Sequence, residues 1–228
     1  MSGHVVAMGG GGFLAGERAS PLDDLLLSLA GSDRPHVVFL PTATGDAEAV
    51  RSAFEAAWSG RSCTRDTVCL FGVPDSPAER VAAADVVVVA GGNTANMLAL
   101  WRLHGVDEAL ASAWARGATL GGVSAGASCW FEACVTDSFS VELDGLEDGL
   151  GILAGSFCPH YDGEERRRPV YRRLVEAGFP AGIACDDGAA AVYRGTRLLE
   201  VVAERAGARG YRVTPEGEEP LEARVLRQ

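Results

Sequence analysis

Strands alternating with helices as far as residue 187 predict an α/β fold, a doubly wound, mostly parallel sheet with helices on both faces and β-hairpins at the C-terminal end. Three observations carry this expectation. Residues 85–90, DVVVVA, form a continuous β-branched run of the kind buried on both faces of a parallel sheet. Similar apolar runs recur along the chain, most of them followed by a helical pattern. Within 228 residues there is no repeat, linker or shift in composition, so residues 1–228 are expected to form one domain.

In order, residues 4–8 predict a first strand running into the glycine loop 9–12. Ser20 and Pro21 supply an N-cap and a first-turn proline for a helix to about residue 30. A second strand is expected at 36–40, an amphipathic helix at 46–58, a third strand at 67–71 and a short helix at 77–84. The strand 85–90 ends at Gly91-Gly92-Asn93-Thr94, where Asn93 can cap a helix running to His104. A helix at 107–116 leads into the strand ending at Ser124, and an apolar helix pattern follows that serine. Residues 136–149 look irregular, 155–159 approach His160, 164–177 form an arginine-rich helix, and the strand 182–185 ends at Asp186-Asp187-Gly188. Beyond it, apolar–polar alternation punctuated by glycines predicts the hairpins.

Charge and composition narrow the function. A net charge of −11 argues against nucleic acid and anionic membrane as partners. All 20 basic residues are arginine, which removes a lysine Schiff base or a P-loop lysine. The loop GGGGF lacks the GxGxxG order, so it reads better as backbone passing close to an active site or helix than as a phosphate cradle. Six cysteines without CxxC spacing suggest buried free thiols in a reducing compartment. With no leader-like pattern and no apolar run of membrane-spanning length, a cytoplasmic location is expected.

The chemistry points to residues 120–132, LGGVSAGASCWFE. Gly122 and Gly126 flank Ser124 at the spacing of a nucleophile elbow, in which a strand turns sharply into a helix and only small neighbours fit. Alone, this stretch reads equally well as a packing turn. Of the four histidines, only His160 follows the carboxyl end of an apolar strand, and it is the candidate base. If the loops at Gly91–Asn93, Ser124, His160 and Asp186–Asp187 gather at strand ends, four scattered features become one site.

GGNTANML at 91–98, GGVSAGASCWFE at 121–132, GSFCPHYDGEERR at 155–167 and DDGAA at 186–190 together resemble the peptidase E (aspartyl dipeptidase) family of serine peptidases. The resemblance implies the flavodoxin-like fold of class I glutamine amidotransferases. It implies Ser124 as nucleophile, His160 as general base and the backbone amides of Gly92 and Ala125 as oxyanion donors. The third triad position, a glutamate in the aspartyl dipeptidase, matches Asp187 here; Asp137 ranks second, behind it stand Glu132 and Asp162. Asn93 and Arg166 are implied substrate-binding residues, Arg166 through a carboxylate of the substrate. The segment between His160 and Arg166 is shorter than in the dipeptidase, so Asp-X specificity does not carry over with the motif. The resemblance thus implies a hydrolase of short peptides without metal or cofactor, and makes a homodimer plausible. The alternatives are a cyanophycinase-like hydrolase, or a binding or sensing protein that keeps the triad shell.

Overall fold

The computed structural model describes residues 2–15 and 20–227. Along the chain the elements are β1 (His4–Met8), α1 (Pro21–Ser28), β2 (His36–Leu40), α2 (Glu48–Trp58), β3 (Thr64–Thr67), α3 (Pro77–Ala82), β4 (Val86–Val89), α4 (Thr94–Leu103), α5 (Val106–Ala115) and β5 (Thr119–Val123). Then follow α6 (Ala125–Ser128), β6 (Phe131–Thr136), β7 (Asp144–Leu146), β8 (Leu153–Cys158), α7 (Arg167–Glu176), β9 (Gly182–Cys185), β10 (Ala189–Arg194), β11 (Arg197–Ala203), β12 (Gly210–Thr214), β13 (Gly217–Leu221) and β14 (Ala223–Val225).

Strands β1, β5, β4, β2 and β3 pair in that order, all parallel. Their side chains alternate between two apolar clusters. Val6, Val37, Phe39, Val86 and Val88 face α1 and α2, meeting Leu22, Leu26, Phe54 and Trp58. Val5, Val38, Leu40, Val87 and Val89 face the other way, toward Met97 and Trp101 of α4 and Leu110 of α5. Burial on both faces is what the β-branched runs demand, and it makes the sheet doubly wound. Helix α1 starts at a capping box in which the Ser20 hydroxyl accepts from Leu22 and Asp23 while Asp23 accepts from the Ser20 amide. It lies so close to the sheet that a Cβ on Gly121 would stand 2.5 Å from a Leu26 methyl.

Three expectations need correction. The third strand is Thr64–Thr67, not 67–71, because the Asp46 carboxylate takes the amides of Leu70 and Phe71 at 2.6 and 2.7 Å and turns that stretch away from the sheet. The helix after Ser124 is a single turn, and residues 131–136 form β6, as their aromatic and β-branched content favours. Cys134 and Glu132 therefore lie on a strand, and β7 gives structure to part of 136–149. Finally, the strands leading to His160 and Asp186 belong to a second, six-stranded sheet, ordered β13-β12-β9-β8-β6-β7. Of the expected hairpins, β10–β11 extends the first sheet through an antiparallel β1–β10 pairing and β12–β13 extends the second. Phe131 and Phe157 of the second sheet stack at 5.0 Å, and Tyr193 of the first meets Phe131 edge-on at 5.9 Å, so one core cements both sheets.

The turn after β5 has no room for side chains. A Cβ on Gly122 would stand 2.0 Å from the Gly126 carbonyl oxygen, and one on Gly126 2.4 Å from that of Val89. Because both obstacles are backbone, Gly122→Ala is expected to cost roughly 2–4 kcal/mol. The measurement is a urea titration, in which the midpoint should fall at unchanged slope.

Candidate active site

Sheet register explains why the distant loops meet. In the first sheet Met8 pairs with Val123 and Val89 with Gly122, so β1, β5 and β4 end side by side and release Gly9, Ser124 and Gly91 together. In the second sheet Cys158 pairs with Ala184, so β8 and β9 release His160 and Asp187 together. The two sets are joined where the His160 amide donates to the Gly9 carbonyl at 3.1 Å and Gly10 bridges to Asp187. These loops meet at one cleft of about 510 Å³, whose walls include Gly10, Gly92, Ser124, His160, Asp187 and Glu204.

Ser124 sits at φ 55°, ψ −115°, a backbone conformation that side-chain-bearing residues adopt only under constraint. Its amide donates to Met8 at 3.1 Å and its carbonyl accepts from Ala127 and Ser128 at 2.9 Å, which holds the bend from both sides. Ser124 lines the cleft, and its hydroxyl makes no hydrogen bond to His160 or to another side chain among the described residues. Ala125 opens α6, so its amide has no acceptor within the helix. Gly92, at φ 136°, presses against Ala43: a Cβ there would stand 2.2 Å from the Ala43 carbonyl oxygen, which accepts from Asn93 at 2.8 Å. Gly91 lies against the serine, 3.3 Å from its Cβ at the position a side chain would begin.

His160, also at positive φ (52°), places Nδ1 2.6 Å from Asp187 Oδ1. The carboxylate of Asp187 lies between two glycines. A Cβ on Gly10 would stand 2.0 Å from Oδ1 and one on Gly163 2.0 Å from Oδ2. Its backbone is held too, because Asp162 Oδ1 accepts the Asp187 amide at 2.8 Å and Arg205 Nε donates to the Asp187 carbonyl at 2.8 Å. Arg205 and Asp162 close the clamp with an ion pair between them.

The other expected residues lie elsewhere. Asp137 is exposed, and Glu132 is exposed with Oε2 accepting the Gly155 amide at 2.8 Å. Asn93 Oδ1 accepts from Asn96 at 2.8 Å as the N-cap of α4, while Nδ2 donates to the Ser138 carbonyl at 2.9 Å. Arg166 donates to Glu142 Oε2 and to the Val141 carbonyl, each at 2.9 Å, and does not line the cleft. The neighbouring Arg167, which is buried, pairs with Glu164. Residues 138–142 are thus tied at one end to the Asn93 loop and at the other to the start of α7. Cys129 and Cys134 are buried, and burial pushes the Cys134 thiol up to about 12, which suits packing and not nucleophilic attack. Gly10, Gly163, Arg205 and Glu204 were not anticipated as site residues. GGGGF and the Asp162-Gly163 pair carried a signal for the first two, whereas nothing in the hairpin sequence marks the others.

Behind the glycine loop lies Asp23. Burial raises its pKa to about 6, opposed by the Ser20 amide and Arg61 and assisted by the charges of Glu204 and Asp24. The folded value lies above the ordinary 3.8, so the folded protein binds this proton first as the pH falls. The ionised form therefore weakens the fold above pH 6, by on the order of 3 kcal/mol, and the penalty fades between pH 6 and about 4. Measured by denaturation, the stability of Asp23→Asn relative to wild type should improve by up to that amount between pH 4 and 8. A gap that does not vary with pH would contradict the assignment.

A serine held at a strained strand–helix turn, with a histidine–carboxylate pair across the same cleft, defines a class: the serine-type hydrolases built on an α/β sheet. Within that class the model of peptidase family S51 matches residues 5–201, and the chain belongs to this family of serine-type peptidases. It is 44% identical over 212 residues to the uncharacterized peptidase YgaJ of Bacillus subtilis (strain 168), covering 92% of this chain and 91% of that one. It is 33% identical over 172 residues to peptidase E of Citrobacter koseri, covering 65% of this chain and 71% of the relative. In fold it resembles a peptidase from an acI-B1 Actinobacterium, with a TM-score of 0.76 at 18% identity over 98% of this chain and 95% of that one. A putative peptidase E from Listeria monocytogenes EGD-e gives a TM-score of 0.64 at 17% identity, covering 89% and 99%. No helix among the described residues is long and apolar enough to cross a membrane.

Proposed function

We propose that the chain hydrolyses short peptides through an acyl-enzyme on Ser124, with His160 as general base and Asp187 as the carboxylate that orients it. The 2.6 Å contact between His160 Nδ1 and Asp187 Oδ1, made across the cleft that Ser124 enters, carries this reading. With Nδ1–H donated to the carboxylate, Nε2 keeps its lone pair free to take the serine proton. Ser124 Oγ then bonds to the peptide carbonyl carbon, and the oxygen of that carbonyl gains the negative charge. The amides of Gly92 and Ala125 are the donors for this oxyanion, and the end of α6 adds little because it is one turn long. Collapse of the intermediate breaks the C–N bond as the imidazolium returns its proton to the leaving amine. A water, deprotonated by the same imidazole, releases the acid and restores Ser124.

Asn93 and Arg166 enter this reading as tethers of residues 138–142, and not as groups that contact the substrate. The test is a dipeptide-library hydrolysis screen with Ser124→Ala as control, together with labelling by a fluorophosphonate. Hydrolysis that vanishes with the serine, and a label that maps to Ser124, are expected. Full turnover by the alanine variant would refute the proposal.

A further inference from the structure

One charged group in the cleft has no part in the chemistry above. Glu204, at the end of β11, forms part of the wall, with its amide donating to the Gly188 carbonyl at 2.8 Å directly beside Asp187. Gly11 lies under its carboxylate: a Cβ on that glycine would stand 2.3 Å from Glu204 Oε1. The other charges of the wall are spoken for. Asp187 faces His160, and Arg205 is committed to Asp162 and the Asp187 carbonyl. Glu204 forms no ion pair among the described residues; the groups that act on it are the Ser20 side chain, the Gly12 backbone and, through space, the guanidinium of Arg205. Behind it the buried Asp23 adds a second carboxylate, 3.9 Å from Arg61. Arg166, the cation expected to receive a substrate carboxylate, is tied to Glu142 outside the cleft.

We propose that Glu204 is the specificity-determining group of the cleft and that it receives an ammonium or guanidinium of the substrate peptide. The inference rests on the serine-peptidase reading, because it treats the cleft around Ser124 as the peptide site. A half-buried carboxylate with no ion-pair partner of its own gains a charge-assisted hydrogen bond when a cation docks, whereas an acidic side chain in the same place meets like charge. Two parts of a peptide could supply the cation, its N-terminal α-ammonium or a basic side chain. Both fit a cleft of about 510 Å³.

The experiment measures protection of Ser124 from fluorophosphonate labelling by Leu-Ala, N-acetyl-Leu-Ala, Arg-Ala, N-acetyl-Arg-Ala and N-acetyl-Asp-Ala. In the wild-type protein a cationic peptide should protect at about 10- to 100-fold lower concentration than its uncharged counterpart. Loss of protection on acetylation of both peptides assigns the α-ammonium. A preference for N-acetyl-Arg-Ala over N-acetyl-Leu-Ala assigns the side chain. The preference should collapse in Glu204→Gln and survive in part in Glu204→Asp. Equal protection by charged and uncharged peptides in the wild type, stronger protection by N-acetyl-Asp-Ala than by the cationic peptides, or a preference unchanged in Glu204→Gln would each overturn the proposal. The wild-type series decides even if a variant fails to fold. Absence of any label on Ser124 would instead remove the serine reading beneath it.

Discussion

Replacing Ser124 by alanine should lower kcat/KM by at least about 10⁴-fold on every peptide the protein cleaves. The size of the effect follows from the number of steps that use one oxygen: attack, acyl transfer and hydrolysis all pass through Oγ. On the proposed mechanism, what survives is the contribution of the Gly92 and Ala125 amides to a direct attack by water. The loss should not come from unfolding. The bend is held by backbone bonds to Met8, Ala127 and Ser128, and the hydroxyl has no partner among the described residues. Alanine suffers the same positive φ as serine, so the thermal midpoint should stay within about 2 °C. Steady-state kinetics on the best library substrate, paired with a thermal melt, checks both halves. A variant that lost activity by losing its fold would show in the melt.

The next largest effect is expected from Asp187→Asn, a loss in kcat of roughly 10³- to 10⁴-fold. Asparagine has the same shape and fits the space between Gly10 and Gly163 without new contacts. Its amide, however, can present a donor to Nδ1, which favours the imidazole tautomer with its proton on Nε2 and so removes the base. It also withdraws the negative charge that stabilises the imidazolium. Asp137→Asn is the matched control. That residue is exposed and has no contact with His160, so its effect should be less than about twofold. If the two variants behaved alike, or if Asp137→Asn were the more damaged, the carboxylate assignment would be wrong.

Much of the site was legible before the fold was known, for reasons visible in particular residues. Ser124, His160 and Asp187 each follow an apolar run, and strand ends are where an α/β sheet gathers its loops. Gly122 and Gly126 announced a bend because backbone contacts that close exclude every side chain. Periodicity is a weaker guide over short apolar runs. WFEACVT contains the residues of either a buried helix or a strand, and only its parallel pairing with β8 decides between them. The shift of β3 was hidden for a different reason, because it depends on the Asp46 carboxylate reaching amides 24 and 25 residues away. Glu204 and Arg205 lay beyond reach altogether. Their position depends on how a hairpin that pairs with the first strand folds back over the site, and no local pattern encodes that.

The two glycines that pinch the Asp187 carboxylate bear on how this site can drift over time. The loops lie so close to this carboxylate that a Cβ on Gly10 would stand 2.0 Å from Oδ1 and one on Gly163 2.0 Å from Oδ2. A lone change of Asp187 to glutamate would drive the longer side chain into Gly10 or Gly163, and a lone change of either glycine would drive a methyl into the carboxylate. No single substitution leads downhill from one arrangement to the other. Residues 10, 163 and 187 are therefore expected to change together, because a longer carboxylate needs both loops to move apart.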